Sequence, residues 1–213
     1  GGTPIRLSEI DFVTFSSTGN AADFGDMTVA RAAGGAAGHS SETRAILAGG
    51  STPSSDENDT IDFITIASTG NGLDFGNLTL SVSGVMANGS ATRGIFAAGS
   101  YLPSYAYRET IDVVTIASTG NAVDFGADLT RTSGGKCCDN SIRVLYQTSA
   151  GDAKQIETVT ITTQGNGIQF GELTQANDGG SFATSDPTRG LFGLNTPSGG
   201  TNIMEYISMS TGG

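Results

Sequence analysis

The sequence contains no tryptophan, one histidine, two cysteines and five prolines, and only 15% of its residues are charged, against about 25% in an average globular chain. Each shortage excludes a class of chemistry. A single histidine, His39, cannot build a multi-histidine metal site or a facial triad. A Ser-His-Asp arrangement through the neighbouring Ser40 or Ser41 has no "GxSxG" to support it. The cysteines, Cys137 and Cys138, are adjacent; a bond between neighbours is strained and closes no useful loop, so a disulfide framework is excluded. No long segment combines helical apolar spacing with helix formers, and no apolar run approaches the length of a membrane span. Basic residues are scarce: the formal charge is −11 and the pI about 4.2. That argues against binding nucleic acid or anionic lipid, both of which need Lys and Arg. We read the acidity as a device for solubility, with surface calcium binding as the alternative. No metal or cofactor is expected.

What the chain has in excess is glycine, 32 of 213 residues, roughly twice the usual share. Much Gly, Ser and Thr with few charges points to strands joined by tight turns. The chain also repeats itself. "FG" recurs at Phe24-Gly25, Phe75-Gly76, Phe125-Gly126 and Phe170-Gly171, and "GN" precedes each, at Gly19-Asn20, Gly70-Asn71, Gly120-Asn121 and Gly165-Asn166. An arginine opens an apolar run at Arg44, Arg93, Arg143 and Arg189, and an acid recurs at Asp11, Asp62, Asp112, Glu157 and Glu205. The chain is one repeat domain over 1–213, with units of roughly 1–29 (partial), 30–80, 81–130, 131–174 and 175–213 (partial). Each full unit holds a small Gly-rich piece, the Arg-led run, the acid-bearing piece and the "FG" piece.

Four short strands per unit at a period of about 40–50 residues is the pattern of propeller blades. In "TIDFITIAS", Ile61, Phe63 and Thr65 point one way while Asp62, Ile64 and Ile66 point the other. Both faces therefore carry large apolar groups, as a sheet sandwiched between two neighbours requires. The small segment suits the innermost strand, where sheets crowd an axis. "STGN" reads as a turn, with Gly supplying a positive φ and Asn tolerating one. The expected fold is all-β: a propeller of about four four-stranded blades, the chain starting and ending mid-blade. The opening Gly1-Gly2 is read as a processed or partial product.

"RAILAGG" (Arg44 to Gly50) followed by "TIDFITIAS" and the Phe of "DFG" resembles the Kelch-type repeat, with Phe standing where that family usually has Trp. The later units depart from it, reading "AAGS", "QTSA" and "GLNT" in place of Gly-Gly. The wording "TIDxxTIASTGNAxDFGxLT" also resembles repeats in large structural proteins of tailed phages, especially aquatic ones. The resemblance implies a Kelch-like propeller and a virion or extracellular location; the absence of paired, symmetry-breaking carboxylates argues separately against an enzyme.

Several residues are singled out for role. The acids Asp11, Asp62, Asp112, Glu157 and Glu205 are expected to pair with the arginines Arg44, Arg93, Arg143 and Arg189 of the same or a neighbouring unit, fixing register; a catalytic site would break this symmetry. Phe24, Phe75, Phe125 and Phe170 are expected to pack between blades. His39 reads as a polar residue near a blade end, and Cys137-Cys138 as packing on an inner strand, with a strained redox pair as the minor reading. Tyr101, Tyr105 and Tyr107 cluster in the loop "SYLPSYAYRE", and are the candidate ligand-binding residues, able to stack on sugars or anchor a protein; the plainer reading is a loop folded over the blade edge. The sequons at Asn58, Asn77 and Asn88 match chance in a Ser/Thr-rich chain. The acid-bearing strand occurs five times and the other three types four times each. One copy is thus spare, and Thr201 to Gly213 is expected to pair outside its own ring, as in strand addition. The expected function is a phage tail or fibre propeller presenting loops to a host-surface glycan or protein, with self-association or other virion proteins as partners. The alternatives are a subunit of an extracellular filament or surface layer joined by that spare strand, and a lectin-like propeller.

Overall fold

A computed structural model describes residues 6–32, 36–54, 57–101, 106–129, 135–147, 154–176, 182–196 and 199–211. Every regular element among them is a β-strand. The chain opens with an antiparallel pair, β1 (Leu7–Phe12) and β2 (Ala22–Arg31). Three full sheets follow. The first is β3 (Ala36–Ser40), β4 (Arg44–Gly49), β5 (Asn58–Thr65) and β6 (Leu73–Val82), in that order. The second holds β7 (Met86–Gly89), β8 (Arg93–Ala97), β11 (Thr110–Thr115) and β12 (Val123–Asp128); a small hairpin, β9 (Ser100–Tyr101) with β10 (Ala106–Tyr107), stands between its middle strands in sequence. The third is β13 (Lys136–Asp139), β14 (Arg143–Gln147), β15 (Gln155–Thr160) and β16 (Ile168–Glu172). A terminal sheet of three strands closes the chain: β17 (Phe182–Ser185), β18 (Arg189–Thr196) and β19 (Gly199–Ser208).

The strand types follow the repeat. The small strands β3, β7, β13 and β17 lie side by side at one edge of the stack, where short side chains let backbones approach. Next to them within each sheet come the Arg-led strands, then the acid-bearing ones, then the "FG" strands. The acid-bearing type occurs five times, as β1, β5, β11, β15 and β19. The opening pair therefore carries only the acid-bearing and "FG" strand types, and the terminal sheet only the small, Arg-led and acid-bearing ones. Among the described residues no strand of the terminal sheet pairs with β1 or β2.

Apolar groups on both sheet faces build three cores, each between successive sheets. Ile46, Ile61, Phe63 and Phe75 of the first full sheet meet Phe96, Val114 and Ile116 of the second. Ile95, Ile111 and Phe125 meet Val144, Tyr146 and Val159. Leu145 and Ile156 meet Phe192, Leu194 and Ile207. The alternation is that of a sheet wetted on neither side: Ile111 faces forward and Val114 backward, and both are buried. Removing such areas from water, at about 25 cal/mol per Å², is the main force holding the sheets together.

Candidate functional site

The recurring motifs converge where one sheet meets the next. The Phe24 carbonyl accepts from the Gly70 amide at 2.7 Å, the Asp26 carbonyl from the Gly72 amide at 2.7 Å, and the Asp26 amide donates to Asn71 Oδ1 at 3.1 Å. One unit later the same three bonds link Phe75 to Gly120 (2.7 Å), Asn77 to Ala122 (2.8 Å) and Asn77 to Asn121 Oδ1 (3.1 Å). "FG" and "GN" are thus two halves of one clasp, contributed by neighbouring units. Gly25 and Gly76, both at φ +146°, are required by it: a Cβ there would stand 2.5 Å and 2.4 Å from the carbonyl oxygens of Gly70 and Gly120. Only a residue without a side chain permits that approach. The third clasp is altered. "FGADLT" carries one residue more than "FGNLT", Gly126 sits at φ +72°, and the Gly167 amide reaches the Asp128 carbonyl at 3.1 Å. The "STGN" turn falls on Ile66–Ser68; its Asn serves the clasp instead of occupying a left-handed position.

The expected pairing of repeat acids with repeat arginines is corrected. Three of the acids, Asp62, Asp112 and Glu205, reach backward to the Thr of "MT" or "LT" in the preceding unit. Thr28 Oγ1 donates to Asp62. Thr79 donates to Asp112 from its amide (2.9 Å) and hydroxyl (2.6 Å), and Thr174 does likewise to Glu205. Burial pushes the Asp112 carboxyl above its ordinary value, the Thr79 bonds opposing it. The arginines reach forward to backbone. Arg44 Nη1 donates to the carbonyls of Ile116 and Ala117, both at 3.0 Å, and Arg93 Nη1 to that of Ile161 at 2.8 Å. Their guanidinium planes lie on rings of their own sheet: Arg44 over Phe63 at 4.6 Å, Arg143 over Phe170 at 5.2 Å, Arg189 over Tyr206 at 5.0 Å. Within a unit, acid and arginine lie on adjacent strands but on opposite faces; between units each is taken by a different partner, Asp112 by Thr79 and Arg44 by the carbonyls of Ile116 and Ala117. The one ion pair between described residues is Arg31–Asp62 at 2.6 Å. It is fully buried, and Arg31 also donates to the carbonyls of Gly49 (3.0 Å) and Thr60 (3.2 Å). Arg31 lies outside the arginine series and has no repeat signal that could have revealed it.

Of the expected interblade phenylalanines, Phe75 and Phe125 are buried between sheets, Phe170 packs partly buried against the third core, and Phe24 is buried edge-on against Phe12 at 6.0 Å. A fourth recurring device escaped the sequence reading. Between each small strand and its Arg strand, an oxygen of Ser41, Ser90, Asn140 or Asp186 accepts from the amides two and three residues on, the side-chain turn that these residue types favour. Three chemically different residues at one position hid it.

His39 Nε2 lies 2.9 Å from the Ser90 carbonyl of the next sheet, a structural bond with no triad around it. Cys137 and Cys138 are free thiols on β13. Cys137 packs against the second core and Cys138 belongs to the third, so their sulfurs point to opposite faces. Burial pushes both up to about 12, holding them as unreactive thiols.

The tyrosine loop is anchored by its stem. Ser83 and Ser100 exchange two backbone bonds, at 3.0 Å and 2.7 Å, so the β9–β10 hairpin is tied to the segment that follows β6. In the preceding unit the Ala32 amide ties the Ser51 carbonyl at 2.9 Å, so these loops fold against the previous sheet. Tyr107 is exposed. Tyr105 and the side chain of Tyr101 lie outside the described residues. A polar cleft of about 510 Å³ runs beside the second clasp, lined by Arg93, Ser118, Asn121 and Gln164 among others. Among the described residues no group of three or more His, Cys, Asp or Glu is placed to hold a metal. No family model matches the chain, and no curated protein matches it.

Proposed function

We propose that the chain is a non-catalytic structural and adhesion module of a virion or comparable extracellular assembly, its sheets arranged radially as Kelch-like blades that present the inter-strand loops to a surface glycan or protein. The observation that carries this reading is where the recurring polar groups go. The acids, the Asn of the clasp and the arginines bind the Thr, backbone and carbonyls of adjoining sheets, so the repeat is devoted to rigidity. The segments between the Arg-led and acid-bearing pieces, 50–57, 98–109 and 148–154, differ strongly in sequence, as recognition loops on a rigid frame do. The exposed Tyr107, with Tyr101 and Tyr105 close to it in sequence, is the kind of aromatic group that sugar rings stack on. The test is a glycan array probed with the purified chain and with Tyr101, Tyr105 and Tyr107 replaced by Ala. Binding that disappears in the triple variant supports the reading. Binding unchanged in the variant removes the tyrosines from the site, and no binding to glycans or host surfaces removes the adhesion role.

A further inference from the structure

We propose that the polar cleft around Arg93, between the second and third full sheets, binds a carboxylate-bearing sugar, a hexuronic or sialic acid residue of a surface glycan, with Arg93 taking the carboxylate. The inference rests on the adhesion reading above for the class of partner, and gives it a site away from the tyrosine loop.

Strand register sets that separation. On β8 and β11, Ala97 pairs with Ile111 at the end that leads into the β9–β10 hairpin, and Arg93 pairs with Thr115 at the other. The cleft gathers Arg93 and the turn residues Ser118, Thr162 and Gln164 at this second end. Four residue steps of strand, roughly 13 Å at about 3.3 Å each, divide it from the hairpin. Its volume, about 510 Å³, falls among those of small-ligand sites, about 300–1,000 Å³.

The cleft lies where the second unit breaks the repeat. In the first full sheet the Phe63 ring lies under the Arg44 guanidinium at 4.6 Å and edge-on to Phe75 at 6.0 Å. Two carbonyls hold Arg44 Nη1 as well. In the second sheet Val113 takes the place of Phe63, opposite Val123 as Phe63 is opposite Leu73. Arg44, Arg143 and Arg189 each lie over a ring; among the described residues Arg93 has none. Its guanidinium makes one hydrogen bond there, from Nη1 to the Ile161 carbonyl. Its Nε and Nη2 donors are taken by no described residue.

The lining selects the ligand. Among the described residues Arg93 is the one charged group in the cleft, and no Asp or Glu lines it, although the chain carries 21 of them. A carboxylate therefore meets a cation with no acid beside it, and a guanidinium binds a carboxylate through parallel N–H donors. Ser118, Thr162 and Gln164 offer hydroxyl and amide groups to sugar hydroxyls. Val113 and the exposed Val123 give an apolar wall for the C–H face of the ring.

The test is calorimetric titration of the purified chain with trigalacturonate and with sialyllactose, lactose and acetate serving as controls. At least one carboxylated sugar is expected to bind, about tenfold or more tighter than either control, and more weakly as NaCl is raised. Val113→Phe restores the ring that the first sheet carries at this position. It is expected to reduce binding about tenfold or more with the circular dichroism unchanged, and Arg93→Gln to do the same. Should either variant not fold, methyl NMR of the unmodified chain decides: sugar that shifts the Val113 and Val123 methyls supports the proposal, and sugar that leaves them unmoved overturns it. Failure of both carboxylated sugars to bind overturns it, as does acetate binding as tightly as they do. Binding unchanged in Val113→Phe also overturns it. If that binding is lost instead when Tyr101, Tyr105 and Tyr107 become Ala, or if the chain binds neutral glycans alone, this site falls while the adhesion reading stands.

Discussion

Ile111 and Met204 stand at the same place in the repeat, one in the middle of the stack and the other at its end. Ile111 is sealed between two sheets; Met204 faces water. The acids differ as well, although both look to the preceding sheet: Asp62 sits in a fully buried pair with Arg31 and takes the Thr28 hydroxyl, whereas Glu205 receives Thr174 in an exposed position. What separates Ile111 from Met204 is whether another sheet lies against them. Stability in this molecule is therefore a property of interfaces between units, as expected where units contact chiefly their neighbours.

The largest expected effect breaks that contrast directly. Ile111→Ala opens a void in the second core and is expected to cost about 2–5 kcal/mol, whereas Met204→Ala in the dilute monomer is expected to stay within about 0.5 kcal/mol. Urea denaturation of the two variants measures both; equal losses would mean that the terminal face is covered in the free chain. A smaller contrast sets the "FG" half of the clasp against the "GN" half. Gly76→Ala drives a Cβ onto the Gly120 carbonyl, and about 2–3 kcal/mol is expected from strain and displacement. Gly165→Ala, where a Cβ meets nothing within 4 Å, is expected to change little. Comparable midpoints for the two would show that the clasp does not carry load.

The smallest effect is one of sign. Burial raises the Asp112 carboxyl above its ordinary 3.8. The folded chain then holds that proton more tightly than the unfolded one, so the contribution is full below pH 3.8 and is lost as pH rises through the raised value. Asp186, at the exposed end, is lowered from 3.8 by the Thr188 hydroxyl and the Thr188 and Arg189 amides. Its contribution is full above pH 3.8 and is lost as pH falls through the lowered value. Melting temperatures taken from pH 7 down to 3 should therefore move oppositely relative to wild type. Asp112→Asn should lose ground on acidification, by about 2 °C, and Asp186→Asn should gain it. Shifts of the same sign would refute the assignment of the two environments.

Much of this was legible in the residues. The strand faces of "TIDFITIAS", the small strands and the fifth copy of the acid-bearing strand all follow from alternation and period, because side-chain direction in a strand is fixed by position alone. The partners of Asp62, Asp112 and Arg44 were not legible. A repeat tells which groups recur, but a group on one unit has its own, the preceding and the following unit within reach, and the sequence holds no distance to choose among them. Arg31 and the turn series Ser41, Ser90, Asn140 and Asp186 were hidden for a related reason: one occurs once, and the other changes its residue type while keeping its geometry.

The sequence by itself determined the strand types and their order within a unit, since these depend only on local stereochemistry and on the period. Tertiary structure alone decided that "FG" grips the "GN" of the next unit, that acids look backward to Thr and arginines forward to backbone, and that a buried face at one level becomes an exposed one at the end. Those outcomes depend on which sheet lies against which, and burial is set by the neighbour and not by the residue.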